Sequence, residues 1–243
     1  MASQWWRIGG ALGIAFPILF LVVIFGVSGE EPALHAPIEE IREYYTEHGD
    51  RYLVGGYLFG LGLVLLFLPF VTSLSALLGR VEGGPGVCSR LVLVGGVLFV
   101  AALLITNVGS ALAMGAGDPD LDTGAVRMLA YIETVTFSVT TLPVALMLLS
   151  ASVVIWRTAV VWRWLAVLGL VAALAGVVSP LIVIDGGDEE GVFGALMFLV
   201  AYPGMLLWTL LVGVNMVRRR ELPQETAGER SMPAERRPLP SMS

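Results

Sequence analysis

Six long apolar runs leave this chain with few folds to choose from. They cover approximately residues 7–28, 52–79, 90–115, 125–155, 160–184 and 191–217. Each run can cross a bilayer as a helix, because a spanning helix needs about 20 mostly apolar residues with a rise of about 1.5 Å each. The runs are continuous, whereas the strands of a membrane barrel alternate apolar and polar residues. The sequence therefore predicts an all-α polytopic membrane protein, a bundle of six transmembrane helices.

Little chain remains outside these runs. Of the 243 residues, 56% are hydrophobic and only 14% are charged, which excludes an ordinary soluble domain. We assign residues 1–217 to one six-helix transmembrane domain. Residues 218–243 are polar and contain several prolines, so we expect a disordered cytoplasmic tail.

The longest loop, residues 29–51, is strongly acidic. Within it, residues 36–50 have an amphipathic pattern that predicts a short helix, with Ile41 and Tyr45 on one side and Glu39, Glu43 and Glu47 on the other. We expect this helix to lie along the outer surface of the bundle. The pattern leaves open whether it rests on the membrane or caps the helices.

The arginines predict the orientation of the bundle. Positive residues near the ends of spanning helices accumulate on the cytoplasmic side. One side of the predicted bundle carries Arg7, Arg80, Arg90, Arg157, Arg163 and Arg218 to Arg220, and the other carries only Arg42, Arg51 and Arg127. We therefore expect both termini in the cytoplasm and a location in the cytoplasmic (inner) membrane.

Glu133 is the acidic residue that we place at membrane depth, in the fourth apolar run. A charged group at the bilayer centre costs about 2.5–3.5 kcal/mol on insertion scales, so such a residue normally faces other helices and has a partner. Glu133, Thr136 and Thr140 share one face of the predicted helix, and Pro143 follows in its middle. We expect Asn107 or a backbone carbonyl to be the partner of Glu133.

These residues allow two interpretations. In the first, an outward-facing polar pocket binds a ligand or a proton, and its candidate residues are Glu133, Asn107, Ser110, Thr136, Thr140, Ser179 and Tyr57. In the second, Glu133 makes a structural hydrogen bond only. The sequence does not decide between them.

Other chemistry finds little support in the sequence. The two histidines, His35 and His48, do not form a zinc motif, and GDPDLDTG at residues 117–124 lacks the glutamate that completes a calcium loop. With Cys88 as the single cysteine, a cysteine-based metal site within one chain is excluded. We predict no metal, no cofactor, no catalytic residues and no nucleic-acid partner.

Two segments of the chain look familiar. They are IREYYTEHGDRYLVGGYLFGLGLVLLFLPFVTSLSALLGR, at residues 41–80, and VVWRWLAVLGLVAALAGVV, at residues 160–178. Together they resemble the second and fifth spans of a family of uncharacterised six-span integral membrane proteins from high-GC bacteria. The resemblance implies a small multi-pass domain of unknown function, and it assigns no catalytic residues.

Three classes of function remain, in order of preference. The first is a non-catalytic protein of the lipid bilayer that assembles with itself or with a membrane protein partner. It draws on the Gly56-x-x-x-Gly60 spacing, which lets helix backbones approach closely. The second is a small transporter or a ligand- or proton-binding protein that uses the pocket around Glu133. The third is an intramembrane enzyme.

Overall fold

The structure, a computed structural model, describes residues 2–28, 36–105, 115, 121–184 and 191–218. Within those ranges it is helical and has no strand. Six helices are long and apolar enough to cross a membrane, which confirms the predicted all-α membrane bundle. The α-helices are α1 (Ala2–Val23), α2 (Ile38–Gly62), α3 (Leu68–Glu82), α4 (Val87–Ile105), α5 (Thr123–Val139), α6 (Thr141–Thr158), α7 (Arg163–Val178), α8 (Val192–Ala195) and α9 (Tyr202–Arg218).

Several spans combine two of these helices with a short segment of different geometry. The first span is α1 with the π-helix Ile24–Ser28, and the second is α2 and α3 joined by the π-helix Leu63–Phe67. The third is α4, and the fourth is α5 and α6, which meet at Thr140. The fifth is α7 with the 3-10 helix Ser179–Val183, and the sixth is α8 and α9 joined by the π-helix Leu196–Ala201. The predicted tail beyond residue 218 lies outside the described residues.

The six spans form a ring. Each span packs against the one that follows it in the chain, and the sixth packs against the first. The interior is filled by large apolar side chains that are almost completely buried, among them Phe16, Phe67, Phe99, Met147 and Trp208. Short connections make such neighbour-to-neighbour packing the simplest arrangement for a helix bundle.

Glycines set the closest contacts between spans. A Cβ atom added at Gly213 would lie 2.6 Å from the carbonyl oxygen of Gly10, so the first and sixth spans touch through their backbones. A Cβ at Gly95 would lie 2.8 Å from the backbone nitrogen of Met147, which brings the third and fourth spans equally close. Small residues serve this purpose in membrane bundles.

Gly60, one of the two glycines of the predicted packing site Gly56-x-x-x-Gly60, is not at one of these close contacts. An added Cβ at Gly60 would meet only the Leu104 side chain, at an ordinary 3.5 Å. Gly60 therefore faces α4 of its own chain, and the site has space for a Cβ atom.

The predicted helix of the acidic loop is present, but the expectation that it is separate from the second span is wrong. The second span is one helical rod of 45 residues from Ile38 to Glu82, about 68 Å long at 1.5 Å per residue, whereas the hydrocarbon layer is about 30 Å thick. Ile41 and Tyr45 pack against Val126 of α5. Because this contact supports the first turns of α2 away from the bundle, the helix continues without a break.

The fourth span is a single apolar helical span from Thr123 to Thr158, but its α-helical pattern is not continuous. We predicted a single span over residues 125–155 with Pro143 in its middle, and the structure interrupts it at Thr140. Proline has no N–H group, and its ring clashes with the carbonyl four residues earlier, here that of Val139. The α-helical pattern therefore ends at Val139 and restarts at Thr141.

Candidate functional site

Glu133 has a partner on another span. The Tyr52 hydroxyl of α2 donates a hydrogen bond to Oε1 of Glu133 on α5, with 2.6 Å between the oxygens. Both side chains are half-buried. The predicted partner Asn107 and the candidate Ser110 lie outside the described residues. Tyr52 was not among the residues predicted from the sequence. Its distance along the second span from Arg80 is similar to the distance of Glu133 along the fourth span from Arg157, and only this comparison could have indicated that the two residues lie at similar heights.

The pair lies far from the end of the bundle that carries most arginines, which we call the basic end. Along the fourth span, Glu133 is about 24 residues, or about 36 Å, from Arg157. The hydrocarbon layer is about 30 Å thick. The separation of Glu133 and Arg157 along the span therefore exceeds the thickness of the hydrocarbon layer by about 6 Å.

Two arginines join the same helices beyond this pair. The guanidinium of Arg42 on α2 donates a hydrogen bond to the carbonyl of Leu121, just before α5. The guanidinium of Arg127 on α5 donates to the carbonyl of Ala36, just before α2, at 3.0 Å. Each helix thus holds the backbone at the start of the other, with hydrogen bonds from charged donors, which are stronger than neutral ones.

An apolar cluster fills the space between these polar contacts. Ile41, Tyr45 and Val126 are buried there and form a core separate from that of the ring. The rings of Tyr45 and Tyr52 meet edge to face, with their centroids 5.4 Å apart. We call two segments together the arm pair. One is residues 38–52, the first turns of α2, and the other is residues 121–133, which include the first turns of α5.

A second polar group lies nearer the basic end and is fully buried. The hydroxyls of Thr140 and Tyr202 lie 2.6 Å apart, which ties the interruption of the fourth span to the start of α9. Both hydroxyls also donate to the Phe137 carbonyl, Thr140 at 2.7 Å and Tyr202 at 3.2 Å. The ring of Tyr202 stacks on that of Phe137.

Thr141 connects the same interruption to the fifth span. Its hydroxyl contacts the carbonyls of Ser138 and Gly176, each at 2.8 Å. Ser179, where α7 gives way to the 3-10 helix, donates to the Thr141 hydroxyl at 3.2 Å. These hydroxyls bond backbone carbonyls at the points where the spans depart from α-helical geometry, as buried irregular backbone in a membrane requires.

The departures from α-helical geometry lie at nearly one height. Counted from the arginine at the basic end, four spans depart after about 16 or 17 residues, or about 25 Å: Ile24 from Arg7, Thr140 from Arg157, Ser179 from Arg163 and Ala201 from Arg218. The π-helix of the second span lies about 13 to 17 residues from Arg80. The arm pair lies beyond this common height.

The structure does not bring together into one pocket those predicted site residues that it describes. Thr140 and Ser179 belong to the buried hydroxyl group, whereas Glu133 belongs to the arm pair. The Thr136 hydroxyl donates to carbonyls of its own helix, those of Ile132 and Glu133. Tyr57 is 67% exposed on the outside of the second span.

Binding features are sparse over the described residues. No three His, Cys, Asp or Glu side chains there lie close enough together to hold a metal ion. An open depression of about 380 Å³ is lined by Gly26, Asp50, Arg51 and Val54, and it does not include Glu133. The Glu133 carboxyl can hold a proton or accept hydrogen bonds. In this structure its Oε1 atom accepts the hydrogen bond from the Tyr52 hydroxyl.

No protein-family model, curated protein or solved structure matches this chain.

Proposed function

We propose that this chain is a non-catalytic, multi-pass protein of the bacterial cytoplasmic membrane that acts by assembling with itself or with a membrane protein partner. The basic end, with Arg80, Arg157 and Arg163, faces the cytoplasm in this proposal, as the positive-inside rule requires. The exposed indoles of Trp5, Trp156, Trp162 and Trp164 support the same assignment of a headgroup level. Both termini then lie inside the cell.

The observation that carries the proposal is the arm pair. It is a cross-braced structure with its own small core. Its exposed side carries Glu39, Glu43 and Glu47, and in this proposal that side lies beyond the bilayer in the outer solution. Meanwhile the hydroxyls of Thr140, Thr141 and Ser179 are occupied by structural hydrogen bonds. A projection with its own small core, above polar groups that are already occupied, suits contact with another protein.

Site-specific photo-crosslinking in intact membranes tests this proposal. A benzophenone amino acid at Glu43 is expected to give a discrete adduct, either a dimer of this chain or a complex with one defined partner. The same probe at Leu174, which is 58% exposed in the middle of α7, is the matched control and should react with lipid. Absence of any adduct from Glu43, Glu47 and Glu39 would contradict assembly through the arm pair.

A second candidate is a small transporter or a ligand- or proton-binding protein. One observation favours it: five of the spans depart from α-helical geometry at a common height just below Glu133, and interrupted helices form the binding sites of many transporters. Proton flux into liposomes that contain the purified protein tests this alternative. A flux that Glu133→Gln abolishes would favour it over assembly.

A further inference from the structure

We propose that the arm pair is a hinged clamp, which the hydrogen bond between Tyr52 and Glu133 latches shut at the non-cytoplasmic end of the bundle. This proposal concerns the movement of α2 against α5 and does not depend on whether the chain assembles with a partner.

The two arms contact each other through a small core of their own. The first turns of α2 and α5 pack on each other through Ile41, Tyr45 and Val126, a cluster separate from the ring core. Polar contacts lie on both sides of that cluster: the Leu121 and Ala36 carbonyls, which Arg42 and Arg127 bind, lie farther from the bundle, and Tyr52 with Glu133 lies nearer to it. Such a contact can open without disturbing the ring core.

Both spans that carry the arms are interrupted between the latch and the basic end. The second span carries its π-helix at Leu63–Phe67, and the fourth span is interrupted at Thr140. Both interruptions lie between the latch and the basic end, at similar distances from Arg80 and Arg157. Breaks in regular helical hydrogen bonding are where helices bend. The two spans that carry the latch can therefore both bend below it.

Below the interruptions, the same two spans are held in the ring. There α3 and α6 pack together in the ring core, and Gly95 holds α4 against the backbone of α6. At the interruption of the fourth span itself, Phe137 and Thr140 are fastened to Tyr202 of the sixth span. Movement is therefore confined to the arms, and opening them exposes the Glu133 carboxyl to the outer solution.

Distances between spin labels in lipid nanodiscs test the clamp, with the full chain in a Cys88→Ser background. One label pair is placed at Glu47 and Met128, both exposed and one on each arm. A second pair at Arg80 and Arg157 monitors the basic end of the same two spans. Double electron–electron resonance then gives the distance distribution of each pair.

Tyr52→Phe removes the latch hydroxyl and keeps the ring that contacts Tyr45. We expect it to raise the population with a longer distance between the arm labels about tenfold, the typical effect of losing one hydrogen bond. The distribution of the basic-end labels should stay unchanged. Tyr57→Phe is the matched control, because it removes an exposed hydroxyl from the same helix, and it should leave both distributions as in the unsubstituted protein.

A triple variant tests the clamp even where the closed state is too stable for one substitution to change the distance distribution. Tyr52→Phe combined with Arg42→Met and Arg127→Met removes the three polar contacts described above, and it should give a clear open population between the arm labels. An unchanged arm distribution in the triple variant overturns the clamp. Broadening of the basic-end distribution also overturns it, because the bundle would then loosen as a whole.

Discussion

The Thr141 hydroxyl lies 2.8 Å from the Gly176 carbonyl, and this contact joins the interruption of the fourth span to the last turn of α7. Both groups are buried. A buried carbonyl that loses its donor costs about 1–3 kcal/mol, because no water replaces the bond, and the longer 3.4 Å hydrogen bond from Ser179 to the Gly176 carbonyl compensates only in part. The contact therefore contributes to keeping the fourth and fifth spans in register.

We predict that Thr141→Val lowers the free energy of unfolding by about 1–3 kcal/mol. Valine keeps the shape of threonine but cannot donate a hydrogen bond to Gly176. Unfolding by SDS in mixed micelles measures the change. Thr72→Val is the matched control, since the exposed Thr72 hydroxyl bonds only Leu68 of its own helix, and it should change stability little. Equal effects at the two positions would contradict the assigned role of Thr141.

The glycines predict a second pair of variants with opposite outcomes. Gly95→Ala should destabilise the bundle, because its new Cβ would lie 2.8 Å from the backbone of the fourth span, which cannot move easily. Gly60→Ala should be tolerated or should stabilise the helix by about 0.5–1 kcal/mol, the usual gain of alanine over glycine. Thermal unfolding in detergent compares the two. A tolerated Gly95→Ala would show that the third and fourth spans are not in close backbone contact.

Substitutions of Glu133 separate structure from proton chemistry. Glu133→Leu should weaken the arm pair, because Tyr52 then loses its acceptor. Glu133→Gln keeps an acceptor oxygen and should preserve folding, but a glutamine side chain cannot carry a proton on and off at ordinary pH. Expression level and unfolding in detergent report on folding, and proton flux into liposomes reports on activity. A glutamine variant with normal proton-coupled flux would remove the proton-binding interpretation.

The proposed orientation predicts which cysteines a membrane-impermeant thiol reagent can reach in intact cells. In a Cys88→Ser background, Glu47→Cys on the arm pair should be labelled. Val87→Cys, at the exposed start of α4 near the basic end, should be labelled only after the cells are opened. The reverse result would place the arginine-rich end outside and contradict the assigned topology.

The apolar runs predicted the spans well because span length and hydropathy depend on local composition alone. The interruption near Pro143 was also foreseeable, since proline acts on its own helix. The 45-residue rod was not, because its first turns are held by Val126, which lies far away in sequence.

The partner of Glu133 could not be read from the sequence for a similar reason. Tyr52 precedes Glu133 by 81 residues, and no local pattern links the two. The shared helical face of Glu133, Thr136 and Thr140 was a sound local inference, but the interruption at Thr140 turned that hydroxyl towards Tyr202. Contacts between spans, rather than patterns within one, decide what the polar residues do.

A double-mutant cycle between Tyr52 and Glu133 is the most direct measurement of the contact on which the account rests. The free energies of unfolding of the unsubstituted protein, Tyr52→Phe, Glu133→Ala and the double variant are compared in the same mixed micelles. We predict a coupling energy of about 1 kcal/mol or more, in the range for residues joined by a direct hydrogen bond. Additive effects, with a coupling energy near zero, would show that the two side chains do not meet, and the arm pair would lose its latch.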